Sequence, residues 1–140
     1  MTTGAATIST EHPDAVSARR AADAFRAGDL DTLATTIHED VVWHLPGRSW
    51  MARDLEGRPA LLELLREIMV RSNGTFTLQD VFVSGSDDHV LAAQRFGLTV
   101  DGEQQSFDVT SVMRFRDGRQ KERWFHIHDL NAFDDFLARF

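Results

Sequence analysis

The run HVLAAQRFGLTVDGEQQSFDVTSVMRFRDGRQKERWFHIH, residues 89–128, carries the architecture of this chain. Its apolar and polar residues alternate with the period of a half-buried strand. Two Asp-Gly pairs, Asp101-Gly102 and Asp117-Gly118, divide it into three segments, and such pairs favour tight hairpin turns. The spacing predicts strands over His89–Val100, Gln104–Arg116 and Gln120–His128. Immediately upstream, Asn73-Gly74 ends a helical period, and a further strand is predicted over Thr75–Ser84, followed by the turn Gly85-Ser-Asp-Asp. Consecutive hairpins make such a sheet mostly antiparallel.

Outward from this block, the rest of the chain reads as helices and one short strand. Val16, Ala18, Ala21, Ala22 and Phe25 recur at helical spacing, so a first helix is expected from Asp14 or Ser17 to about Ala27, ended by Gly28. Asp29 caps a short second helix through Leu30, Leu33 and Ile37. Asp40–Leu45 is a short strand closed by Pro46-Gly47, and residues 48–57 form a loop. Arg58-Pro59 opens a third helix whose leucines cover a wide face. Asn131–Phe140 is a closing helix. Residues 1–11 read as a flexible arm and 12–140 as a single domain. The fold class is α+β: a curved, mostly antiparallel sheet wrapped around N-terminal helices, leaving an apolar cone in which a small ligand fits.

Composition narrows the classes of function. The 140 residues suit one domain with a sizeable core. Hydrophobic residues make up 42% and charged residues 26%, which excludes a disordered chain. A formal charge of −7 without a basic stripe argues against nucleic acid as a partner. With no Cys there is no disulfide, thiolate metal site or thiol nucleophile, and with no Tyr there is no phenol to donate to an oxyanion. Lys121 is the one lysine, so a Schiff base has a single candidate. The opening MTTGAATISTEHPD lacks the regions of a signal peptide, and no apolar run is long enough to cross a bilayer. The expectation is a soluble, cytoplasmic protein with no membrane contact.

Five strings resemble, in order, the SnoaL-like group of the nuclear-transport-factor-2-like superfamily, to which the ketosteroid isomerases also belong. They are AFRAGDLDTL (24–33), DVVWHLPG (40–47), LEGRPALLELL (55–65), MRFRDGR (113–119) and ERWFHIHDLNAFDDF (122–136). The resemblance implies a cone-shaped α+β barrel and a homodimer packed through its sheet. It spans isomerases, polyketide cyclases, epoxide hydrolases, dehydratases and binding modules, so fold alone does not decide function. The isomerase positions are occupied here by Ala21, Leu45 and Ser111, which cannot do that chemistry. An epoxide hydrolase needs an Asp–Arg–Asp set, of which Arg95 and Asp108 are the nearest suggestion. The cyclase pattern, a His and an Asp on the last strands, fits best through Asp108, His126, His128 and Asp129.

The residues leave the facing of the strands open. His126 and His128 share one face with Trp124, while Phe125 and Ile127 share the other. The hairpin pattern of the family it resembles implies Phe125 and Ile127 inside, and a bulge would reverse it. In the middle strands the resemblance to the isomerases implies an inner set of Gln94, Phe96, Leu98, Val109, Ser111 and Met113, giving a pocket with few hydrogen-bonding groups. Asp108 and Arg95 are then outer-face ion pairs, whereas a one-residue slip would turn Asp108 inward as a general base. The candidate acid–base residues are therefore His126, His44 and Asp108. The candidate ligand-binding residues are Trp43, Trp50, Phe96, Leu98, Ser111, Met113 and His128. His126, His128 and His44 could hold a metal together with a carboxylate, but the resemblance implies a mostly metal-free family, and no metal or cofactor is expected. The expected function is a cofactor-independent cyclase or isomerase acting on a small hydrophobic ligand such as a polyketide-like metabolite. A non-catalytic binding or dimeric interaction module and an epoxide hydrolase are the alternatives.

Overall fold

Residues 8–140 are described by the computed structural model of the chain. Helix α1 spans Pro13–Arg26; its start is set by Pro13 in the first turn and by His12, whose ring accepts from the Asp14 amide at 3.1 Å. Asp29 caps α2, Leu30–Thr35, by accepting from the Thr32 amide at 3.0 Å. Strand β1 covers Ile37–Leu45, β2 Arg53–Glu56, and α3 Arg58–Arg71. Four long strands follow, β3 at Thr77–Gly85, β4 at Val90–Val100, β5 at Glu103–Arg116 and β6 at Arg119–Ile127. Asp129 caps the last helix, α4, Leu130–Leu137.

The six strands form one curved, unclosed sheet in the order β2-β1-β6-β5-β4-β3. The class is α+β, as expected. Both Asp-Gly turns form, with Asp101 and Asp117 at positive φ. Two features differ from the sequence reading. The expected loop 48–57 contains β2, which pairs antiparallel with β1 through Trp43 opposite Leu55. Arg53-Asp-Leu-Glu has no strand signature of its own, so neighbouring backbone rather than propensity makes it a strand. Secondly, β1 lies parallel to β6, with Trp43 opposite Arg123 and His44 opposite Trp124.

The helices lie on the concave face, and the core sits between. Its fully buried side chains include Leu61 and Leu64 of α3, Leu98 and Val109 of the sheet, and Phe133 and Leu137 of α4. Pro46-Gly47 closes β1 beneath α4. Gly47 has φ +106°, and a Cβ there would lie 2.5 Å from Oδ1 of the buried Asp134, so the turn requires glycine. The other carboxylate oxygen of Asp134 accepts from the Arg48 amide at 2.9 Å. Most of the expected arm, residues 1–7, lies outside the described residues. Within the remainder, Ser9 pairs with Gly85 of the edge strand β3 through two backbone hydrogen bonds of 2.8 and 2.9 Å.

Candidate functional site

A cavity of about 80 Å³, counted as space open to the centre of a water-sized sphere, lies between the helices and the concave face of the sheet. One water needs roughly 10–15 Å³ on that measure, so the space admits several waters or a small ring. It exists because α1 presents Ala18, Ala21 and Ala22 to the sheet where larger side chains would fill it. Phe25, Leu65, Ile68 and Phe76 form the helical side, and Trp43, Phe96, Met113 and Phe125 the sheet side.

Two bulges set the polar groups in the wall of this apolar enclosure and directly behind it. On β6 one extra residue, Lys121, stands between Gln120 and Glu122, the partners of Phe115 and Arg114. Gln120 and Arg123 consequently both face inward although they are three residues apart. On β3 the extra residue is Val81, which leaves Asp80 opposite Gln94. The Arg123 guanidinium is buried; its Nε donates to Ser111 Oγ at 3.1 Å and its Nη2 to Gln94 Oε1 at 2.8 Å. Gln94 Nε2 donates onward to Asp80 Oδ1 at 2.8 Å, and the other Asp80 oxygen lies 3.4 Å from Arg26 Nη2. These contacts fix the Gln94 amide in one orientation. Arg123 also stacks on two rings, with Cζ 4.4 Å from the Phe125 centroid and 5.2 Å from that of Trp43. Trp43 Nε1 donates to Gln120 Oε1 at 2.6 Å.

Burial pushes the Arg123 pKa down to about 10, with the charge of Asp80 acting in the opposite sense. The group is still a cation at neutral pH. It is the one ionisable side chain lining the cavity, whose described wall contains no carboxylate and no imidazole. A fixed cation in a water-poor space can hold an anion or stabilise developing negative charge on oxygen.

The ligand-binding residues expected from the sequence divide. Trp43, Phe96 and Met113 line the cavity. Leu98 is buried beside them in the core, and Ser111 is buried as a partner of Arg123. Trp50 does not close over the space: its Nε1 donates to the Leu137 carbonyl at 3.2 Å and Arg71 stacks on its ring. His128 is exposed on the convex face, bonded to Thr110 at 2.8 Å.

The expected acid–base residues are not at the cavity either. With Phe125 and Ile127 turned inward, the period of two sends His126 outward, and its side chain is exposed. Asp108 is outward on β5, where it accepts from Arg95 Nε at 3.0 Å. His44 is outward on β1, held between Glu122 at 2.7 Å and Asp54 at 3.0 Å and stacked on Trp124. The hydrogen bond to Glu122, opposed by partial burial and aided by Asp54, raises the His44 pKa. No three His, Asp or Glu side chains gather at metal-binding distance among the described residues.

Sequence reasoning missed Arg123 and Gln120. The signal for Arg123 was present, because it precedes Phe125 and Ile127 in the same alternation. An arginine is ordinarily read as surface, and the bulge that turns Gln120 inward has no sequence mark.

The comparisons with known proteins agree with this architecture. The SnoaL-like domain model matches residues 18–123. No curated protein sequence matches the chain. Among solved structures, Bal32a from a soil-derived mobile gene cassette is 31% identical, with a TM-score of 0.84 over 89% of this chain and 96% of that one. IdmH, a candidate polyketide cyclase from Streptomyces antibioticus, is 21% identical, with a TM-score of 0.71 over 91% of this chain and 99% of that one. An epoxide hydrolase of M. tuberculosis, described as similar to LEH, is 19% identical, with a TM-score of 0.70 over 91% of this chain and 89% of that one. The last two show the fold alone. From the family match and the architecture together, the chain belongs to the SnoaL-like domain family, with the nuclear-transport-factor-2-like fold.

Proposed function

We propose that the cavity binds a small, largely apolar, ring-bearing molecule and that the chain acts on it as a cofactor-independent cyclase or isomerase. The observation that carries this reading is the partly enclosed apolar space with a single buried cation in its wall. Holding a flexible or planar substrate in such a space supplies orientation, and Arg123, held in place by Gln94 and Ser111, supplies electrostatic stabilisation of an enolate oxygen. His126, His44 and Asp108 project from the opposite face of the sheet, so in this mechanism they do not move the proton. The proton leaves through water, which restricts the reaction to carbon acids that ionise readily. The setting is cytoplasmic, and no nucleic acid, membrane or cofactor takes part.

The test is deuterium uptake by 2-tetralone, a cyclic ketone, in heavy water, followed by NMR. Wild-type protein should speed exchange at the carbon next to the carbonyl, and Ala21→Trp, which fills the cavity, should abolish the acceleration. Equal rates for the two proteins would leave binding without catalysis. That second reading is favoured by the absence of a carboxylate or imidazole among the cavity-lining residues described. The epoxide hydrolase reading lacks support, since Arg95 and Asp108 pair on the convex face.

A second copy of the chain completes the proposal, packed on the convex face. Phe82 is exposed there in the row that continues through Ala93, Thr110 and His126. In the next row Leu91 and Trp124 are 38% and 37% exposed, so the two rows together offer apolar side chains to a second sheet.

A further inference from the structure

We propose that the ligand of this cavity carries an anionic oxygen, a carboxylate or an ionised enol, received by Arg123 and Gln120. This rests on the reading of the cavity as a ligand site and adds the chemical class of the ligand. Arg123 is buried, yet no carboxylate among the described residues pairs with it within 4.0 Å; Asp80, whose charge acts on it, is reached only through Gln94 and is shared with Arg26. A buried cation without a direct counter-ion is costly, and packed apolar groups in its place are often as stable or more so, which makes it weak as a device for the fold alone.

The uncommitted hydrogen-bonding capacity of the wall points the same way. A guanidinium has five N–H donors, and the described residues accept one from Nε and one from Nη2. Nη1 donates to none of them and is not among the buried atoms sealed without a partner. Gln120 offers its carbonyl oxygen to Trp43 Nε1, which fixes its amide orientation and leaves Nε2 with no described acceptor. The Gln94 and Gln120 oxygens, the acceptors of the wall, are both engaged. What remains free is a set of donors beside Trp43, from Arg123 over its ring and from Gln120 at its indole N–H. That set is complementary to an oxygen bearing negative charge, with an apolar body lying against Trp43, Phe96 and the α1 alanines.

Calorimetric titration with benzoate, its neutral isostere benzamide, and toluene tests the assignment at neutral pH. Benzoate should bind at least about tenfold more tightly than benzamide, the effect of charge-assisted hydrogen bonds in a dry site. Arg123→Met should abolish that preference while keeping benzamide and toluene binding within a few-fold. Should Arg123→Met fail to fold, Gln120→Leu supplies the second arm and should lower the preference for benzoate several-fold. The ionised enol of 1,3-cyclohexanedione, titrated beside benzoate, identifies which anion the site takes by the tighter binding. Toluene and benzamide binding without a preference for either anion would overturn the anion assignment and leave the cavity reading intact. Failure of all four probes to bind would overturn both.

Discussion

Trp43 and Trp124 sit one residue out of register on the paired strands β1 and β6, and they live in different media. Trp43 faces the helices, is 9% exposed, and finds its indole N–H partner in Gln120. Trp124 faces outward, is 37% exposed, and lies flat against His44 with ring centroids 5.5 Å apart. The same contrast holds for charge. Arg123 is enclosed without a direct counter-ion, whereas Arg95, on the outer face, meets Asp108 at 3.0 Å in solvent. Chemistry therefore follows enclosure here, and the face richer in titratable groups is the less suited to bind a small molecule.

The largest expected effect separates the tryptophans. Trp43→Ala should lower unfolding free energy by about 3–5 kcal/mol, the cost of emptying a large buried aromatic site. Trp124→Ala should cost less than about 1 kcal/mol in dilute monomer. Urea denaturation of both variants at several protein concentrations checks this, since a dimer through the outer face would make the Trp124→Ala deficit concentration-dependent. Comparable losses at all concentrations would break the contrast.

Next is the enclosed cation. Arg123→Met should cost about 1–3 kcal/mol, because Gln94 and Ser111 lose a donor while buried. Adding Gln94→Leu and Ser111→Ala should recover that loss, as apolar replacements of buried polar networks often do. Thermal melts of the single and triple variants decide it; a triple variant less stable than the single one would mean that the network serves the fold.

On the outer face the effects are smaller. The raised pKa of His44 means that the folded state binds the proton more tightly than the unfolded chain. Its stabilisation is fully present below the unfolded value of about 6.5 and is lost as pH rises through the folded value. The stability gap between wild type and His44→Gln should therefore be widest below the unfolded value of about 6.5 and narrow as pH rises above it, measured as melting temperature across a pH series. Smallest of all, Arg95→Ala or Asp108→Asn should shift stability by less than about 1 kcal/mol and leave ligand affinity unchanged, the ordinary result for an exposed ion pair.

Element order, the two Asp-Gly hairpins and the alternation on β4 and β5 were all legible in the chain, because each is a local property. Which face is inside was only half legible. Alternation with a period of two assigns residues to two sets and does not orient them; what pointed Phe125 and Ile127 inward was the hairpin pattern of the family the chain resembles. The site residues were harder. Gln120 and Asp80 face inward through bulges at Lys121 and Val81, and a single extra residue in a strand leaves no compositional mark. The histidines drew attention because their chemistry is versatile, yet position decides whether that chemistry meets a ligand. The parallel partnership of β1 with β6 depends on contacts distant in the chain, and strand β2 on pairing with the preceding strand β1 rather than on a period of its own.

That parallel partnership has a kinetic consequence. Trp43 and Gln120 are separated by 77 positions, and the seam joining β1 to β6 closes only after nearly the whole polypeptide is available. Long-range pairing of this kind is slow, since loop entropy is spent before contacts repay it. During synthesis the hairpins of β3 to β5 can gather first, while the chamber stands open along one side until its final wall arrives. Indole emission from Trp43 should accordingly settle in the last phase of refolding.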